Sequence, residues 1–119
     1  MSQQALVTIA VKGWSGWTEE QPKAKSLQLT VQAGHKLTPT TVGIVSAEYE
    51  ISVDSVGADQ IMVTYSGVVM ENSDGTIPLD APRKGRCLIK VRHCMRLATA
   101  TMDGGTLISL TLDRTESSA

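Results

Sequence analysis

The chain has 119 residues, of which 41 % are hydrophobic, and a formal net charge of −1 at pH 7. This length fits one domain with a sizeable core, and the hydrophobic content excludes a disordered composition. The near-neutral charge excludes a strong overall field, and the sequence lacks the run of about 18 apolar residues that a membrane-spanning helix needs.

The first predicted element is a strand over residues 6–11, which is apolar on both faces apart from Thr8. Such a strand is expected in the centre of a sheet or beneath a loop. Trp14 and Trp17 follow in a predicted loop and make up half of the aromatic residues. One interpretation is an exposed aromatic platform for a partner. The other is that the indoles cover the end of a core that lacks Phe.

Residues 26–32 and 45–53 alternate between apolar and polar side chains. This alternation is typical of half-buried strands in an antiparallel sheet. Between them, a turn at residues 32–35, around Gly34, and the pair Pro39-Thr40 bracket a predicted loop. In the first of these strands, three residues share the face that we expect to be buried: Leu27, Leu29 and Val31.

The second half of the chain continues the pattern. Residues 60–70 predict a strand with a bulge or sharp bend at Gly67, and residues 76–79 predict a short one. Residues 86–102 predict a long strand that bends, or that splits and serves two sheets. Residues 108–113 predict the last strand, and turn-forming residues separate these segments.

These segments predict an all-β fold in a single domain over residues 1–119. About seven strands, without a convincing helical period, indicate an antiparallel β-sandwich or barrel with hairpin connections. Residues 1–4 and 116–119 are expected to fray.

Cys87 and Cys94 are seven residues apart on the predicted long strand, which places their Cα atoms about 23 Å apart. Residues 88–93 contain no Gly, Pro, Asn or Asp to form a turn between them. We therefore expect two free thiols, which fits a reducing compartment. The N-terminus has no basic segment before its apolar stretch, so the expected location is cytoplasmic.

Charge is segregated along the chain. Residues 37–82 contain no Lys or Arg but seven acids, including Glu48, Glu50 and Asp54, whereas residues 83–102 contain six cations and no acid. On one strand, four of these cations would form a basic stripe. The stripe is interpreted either as a cross-strand ladder with the acidic strand or as a face for an acidic protein, a phosphate or a nucleic acid. The four cations are Arg86, Lys90, Arg92 and Arg96.

Signals of catalysis are weak. His93 and Cys94 are adjacent and point to opposite faces of a strand, and the cysteine and histidine spacings match no metal-binding motif. We therefore predict no catalytic residue, no metal site and no cofactor. A nucleic-acid partner is disfavoured because no aromatic residue interleaves with the cations.

The leading hypothesis is a non-enzymatic protein-binding module, with an inhibitor or immunity-type protein as a narrower form. Its expected partner is a protein with an acidic surface, and no membrane is involved. The alternatives are an assembly subunit that forms a homo-oligomer and an enzyme of unknown type. The residues expected to bind the partner are Trp14, Trp17, Arg83, Lys84, Arg86, Lys90, Arg92 and Arg96.

Overall fold

The structure, a computed structural model, describes residues 3–15, 24–41, 43, 45–72, 77–78, 83–100 and 104–117. In this part the chain forms strands and no helix, so no helix there is long and apolar enough to cross a membrane. The strands are β1 (Gln3–Ser15), β2 (Lys25–Val31), β3 (Lys36–Leu37), β4 (Thr40–Thr41), β5 (Val45–Val56), β6 (Gln60–Glu71), β7 (Ile77–Pro78), β8 (Arg83–Lys90), β9 (Cys94–Ala100) and β10 (Gly104–Ser117).

The predicted antiparallel β-sandwich is confirmed, because the strands form two antiparallel sheets that pack together. The first sheet has the order β2-β1-β10-β9. In the second sheet, β5 and β6 lie in the centre, with β3 and β4 beside β5 and with β7 and β8 beside β6. The described strands outnumber the seven predicted. Two of the additional strands, β3 and β4, have only two residues each, which is too short to show an alternating pattern. The third arises because the strand predicted over residues 86–102 is divided into β8 and β9. The short strand predicted over residues 76–79 contains β7.

The long strands β1 and β10 pair from Gln3, opposite Ser117, to Ser15, opposite Gly104. The described parts of the two ends that were expected to fray are therefore paired strand. Leu6 and Val7 mark a shift in this register. The central position predicted for the first strand is confirmed, since β1 lies between β2 and β10.

The core lies between the sheets and is built from the predicted alternating positions. Ile51 and Leu110 are fully buried, but Leu27 is 63 % exposed although it shares a face with buried Val31. The prediction that Leu27 is buried is wrong. This residue lies on an edge strand, close to Thr38, Pro39 and the two-residue strand β4, which leave the edge of the sandwich open.

Three aromatic rings each cover a glycine on the neighbouring strand. The pairs are Tyr49 with Gly67, Tyr65 with Gly85, and Trp14 with Gly105. In each pair, a Cβ atom added to the glycine would lie less than 3.0 Å from an atom of the aromatic side chain, closer than real Cβ contacts allow. Gly67 therefore permits close approach of a ring. The bulge that was one of the two alternatives predicted there is wrong, since the register between β5 and β6 is continuous at Gly67 and shifts only between Val53 and Ser55.

The segment predicted as one long strand splits and serves both sheets, which was one of the two predicted outcomes. β8 pairs with β6 in the second sheet, and β9 pairs with β10 in the first. A turn at residues 91–93 joins them, and Arg92 adopts a left-handed φ of 69°. Placing both cysteines on one strand is therefore wrong, although both thiols are free as expected.

A candidate protein-binding edge

The cations predicted to bind a partner lie along one edge of the sandwich. Among the described strands, β8 and β9 each pair with a single strand, so together they form this edge. Five cations on it are exposed. We call them the basic edge, and they are Lys84, Arg86 and Lys90 on β8, Arg92 in the turn, and Arg96 on β9.

The basic edge is not the stripe that the sequence predicted. Lys84, Arg86 and Lys90 occupy the exposed positions of β8, in the second sheet. Arg96 belongs to the first sheet, and Arg92 lies in the turn that connects the two. The four residues predicted to share one strand are therefore divided between two sheets, and the cations flank the edge on both sides.

The acidic residues of β5 form one ion pair with the basic edge among the described residues. Arg86 Nε lies 3.7 Å from Asp54 Oδ2, and Thr64 donates a hydrogen bond to the same oxygen. Glu50 instead pairs with Lys36, at 3.0 Å. The predicted ladder is wrong for Glu48 and Glu50, because β6 separates β5 from β8.

Arg83 has a different environment from the other cations. It is half-buried, and its Nη1 donates a hydrogen bond to the carbonyl oxygen of Ala98 at 3.2 Å. Since Arg83 belongs to β8 and Ala98 to β9, this bond joins the edges of the two sheets. Arg83 therefore helps to position the strands that carry the basic edge.

Trp14 lies on β1 and not in the predicted loop, because the strand continues to Ser15. Its half-buried indole packs over Gly105. Trp14 and Ala10 are four residues apart on β1 and therefore share a face. Ala10 lies opposite Ser109 on β10, and Ser109 lies opposite Arg96 on β9. Trp14 and Arg96 are therefore on the same outer face of the first sheet. Trp17 lies outside the described residues.

Lys12 was not singled out from the sequence, yet it belongs to this outer face. It is exposed and lies two residues before Trp14 on the same strand. Residues two apart on a strand share a face. Extending the alternation of β1 beyond Val11 would have placed Lys12 beside Trp14.

The histidines and cysteines form no shared site in the described residues. His35 Nδ1 accepts a hydrogen bond from the backbone N–H of Gln32, and His93 Nδ1 lies 3.2 Å from the carbonyl oxygen of Val91. Cys87 is half-buried on β8, whereas Cys94 is exposed on β9. Within these residues, no three His, Cys, Asp or Glu side chains are grouped so that they could hold a metal ion.

Comparison with protein-family models, with curated proteins and with solved structures gave no match.

Proposed function

We propose that the chain is a non-enzymatic, cytoplasmic protein-binding module that recognises an acidic protein surface through the basic edge. The observation that carries this proposal is the exposure of five cations along β8, the 91–93 turn and β9. Residues 83–102 contain no acid, and among the described residues Arg86 is the one member of the basic edge with an ion pair, to Asp54. Exposed charges of one sign steer a partner of opposite sign and select against partners of like sign.

Trp14 supports a protein partner over a small anion. Aromatic and Arg side chains are enriched among the residues that contribute most to protein interfaces. Trp14 shares the outer face of the first sheet with Arg96 and Lys12, so an acidic partner lying on this face would contact both indole and cations. An inhibitor or immunity-type protein, which would cover part of an enzyme, is the narrower form of this proposal.

The test compares charge reversal on the basic edge with the same change elsewhere. The probe is fluorescently labelled poly-glutamate, and its dissociation constant is measured by anisotropy at two salt concentrations. The variant is Lys90→Glu with Arg96→Glu. The control is Lys25→Glu with Lys36→Glu, which changes the net charge equally on exposed residues outside the basic edge.

We expect the basic-edge variant to bind the probe at least about tenfold more weakly and the control to change affinity about twofold at most. Equal losses in both variants would show that only net charge matters and would contradict the proposal. The melting temperature of the basic-edge variant should stay within about 2 °C of the parent, because exposed charges contribute little to stability. A large fall would instead show that Lys90 or Arg96 contributes to the stability of the fold.

A further inference from the structure

We propose that β2 pairs with β2 of a second copy of this chain. The pairing is antiparallel about a twofold axis at Gln28 and joins the two four-stranded sheets into one. The proposal is independent of the acidic partner, because β2 and the basic edge lie at opposite edges of the first sheet. It gives the homo-oligomer alternative a defined interface.

The outer side of β2 is open to pairing. In the part of the chain that the structure describes, β2 pairs only with β1. An edge strand directs the N–H and C=O groups of every second residue away from its sheet, where another strand can bind them. Proline, bulges and inward-pointing charges normally prevent such pairing. β2 has no proline, and its register with β1 is continuous from Lys25 to Val31. Its one charged residue, Lys25, is on the inward-facing side of the strand with Leu27, but it stands at the end of β2 and leaves the central residues without a charge.

The sequence of β2 is self-complementary in polarity. Residues 26–30 read Ser-Leu-Gln-Leu-Thr, which has the same pattern of side-chain types in both directions. With Gln28 on the twofold axis, Leu27 of one copy lies opposite Leu29 of the other, and Ser26 lies opposite Thr30. Leucine faces leucine, hydroxyl faces hydroxyl and amide faces amide, all favourable cross-strand pairs.

The charges of β2 also fit this arrangement. Lys25 is the only charged residue of the strand, and the same register places it opposite Val31 of the other copy. No two like charges therefore lie directly opposite each other, an arrangement that would destabilise the pair. A twofold interface requires a surface patch that complements itself, and β2 meets that requirement. A foreign peptide would need no such symmetry, so the pattern favours a second copy.

The exposed Leu27 side chain also supports pairing with a second copy of the chain. It is 63 % exposed at the rim of an open groove of about 300 Å³, which is lined mainly by apolar side chains, including those of Ile9, Leu29 and Leu37. In the proposed dimer, Leu27 of each copy packs against Leu29 of the other. Two grooves then meet at the joined edges, and both leucines lose contact with water.

The size of the interface sets the expected affinity. Seven residues span about 23 Å of strand, and contact along one edge buries less than the roughly 800 Å² per partner that is typical of stable complexes. We therefore expect a dimer whose population depends strongly on concentration. Sedimentation velocity from about 1 μM to about 1 mM covers the relevant range of dissociation constants.

The first experiment uses two matched variants. Leu27→Lys places two charges within the interface and should abolish the rise in sedimentation coefficient with concentration. Leu88→Lys changes the other large hydrophobic residue that is exposed in the described part of the chain, which lies on β8, and should leave dimerisation unchanged. A native chain that stays monomeric throughout, or a dimer that Leu27→Lys does not weaken, would overturn the proposal.

The second experiment tests the register in a background with Cys87→Ser and Cys94→Ser. Gln28→Cys places a thiol on the axis and should give a disulfide-linked dimer under mild oxidation. Ser26→Cys should not, because its two copies lie about 14 Å apart along the strand, beyond the roughly 7 Å limit for a disulfide. Adding Thr30→Cys to Ser26→Cys should restore the link. Cross-linking through Ser26→Cys alone, without cross-linking through Gln28→Cys, would overturn the proposal.

Discussion

The chain crosses between its two sheets at both edges of the sandwich, and the two crossings have the same geometry. Residues 32–35 lead from β2 to β3, and residues 90–93 lead from β8 to β9. Each is a β-turn whose third residue is left-handed, with φ of 95° at Gly34 and 69° at Arg92. Each ends in a histidine whose N–H donates to the first residue of the turn.

Both turns also bind a strand in the same way. Gly34 N–H donates to the carbonyl oxygen of Val53, and Val53 N–H donates back to the carbonyl oxygen of His35. Arg92 and His93 make the same two bonds with Leu112. The comparison shows that bonds to a neighbouring strand can hold a left-handed turn without a glycine, at the cost of local strain.

The largest expected effect concerns the packing of the two edges. The edge that carries β8 is packed closely because Tyr65 covers Gly85, whereas the edge at β2 is open. Gly85→Val places a side chain against the Tyr65 hydroxyl, so the free energy of unfolding should fall by about 1–3 kcal/mol in urea titrations. Lys84→Val, on the exposed face of the same strand, should change it by about 0.5 kcal/mol or less. Equal effects of the two variants would show that the edge tolerates extra volume.

An intermediate effect is expected at the glycine-containing turn. A Cβ atom at Gly34 would meet no atom within 4 Å, so the cost of Gly34→Ala is the left-handed backbone alone. We expect this variant to lower the free energy of unfolding by about 1–2 kcal/mol. Gly34→Asn should lose less, because asparagine tolerates this conformation better. An alanine variant as stable as the parent would mean that the turn can change shape.

The smallest effect has the opposite sign. Arg92→Gly relieves the left-handed strain but makes the unfolded chain more flexible, so we expect a net gain of about 0.5 kcal/mol. Arg92→Ala removes the same charge and keeps the strain, which makes it the control for charge. The gain should appear as a higher midpoint in urea for Arg92→Gly only. A loss of stability in Arg92→Gly would show that the arginine side chain itself supports the turn.

The sequence predicted the fold class because alternation is a local property that burial enforces along each strand. It also predicted the turn at residues 32–35, where Gly34 is a direct signal. It gave no signal for the turn at residues 90–93, because the hydrogen bonds that hold Arg92 come from Leu112, which is distant in sequence. Exposure of Leu27 was likewise unpredictable, since it depends on which segments of the other sheet lie opposite.

The candidate site was predicted in composition but not in arrangement. Residues 83–96 were identified as a source of exposed cations, and five of the six are exposed. The predicted stripe is wrong because the alternation of faces along a strand does not continue across a turn. Arg86 lies on β8, whereas Arg96 lies on β9. The hydrogen bond of Arg83 could not be predicted from the sequence, because its acceptor, the carbonyl oxygen of Ala98, lies on β9.

Pairing between aromatic rings and glycines has a consequence for how this sequence can change. Three of its four aromatic residues each depend on a glycine in the adjacent strand, so neither member can be replaced freely. In relatives of this chain, a small residue at position 65 should be accompanied by a larger one at position 85. The two sites would then covary during evolution, although 19 positions separate them in the sequence.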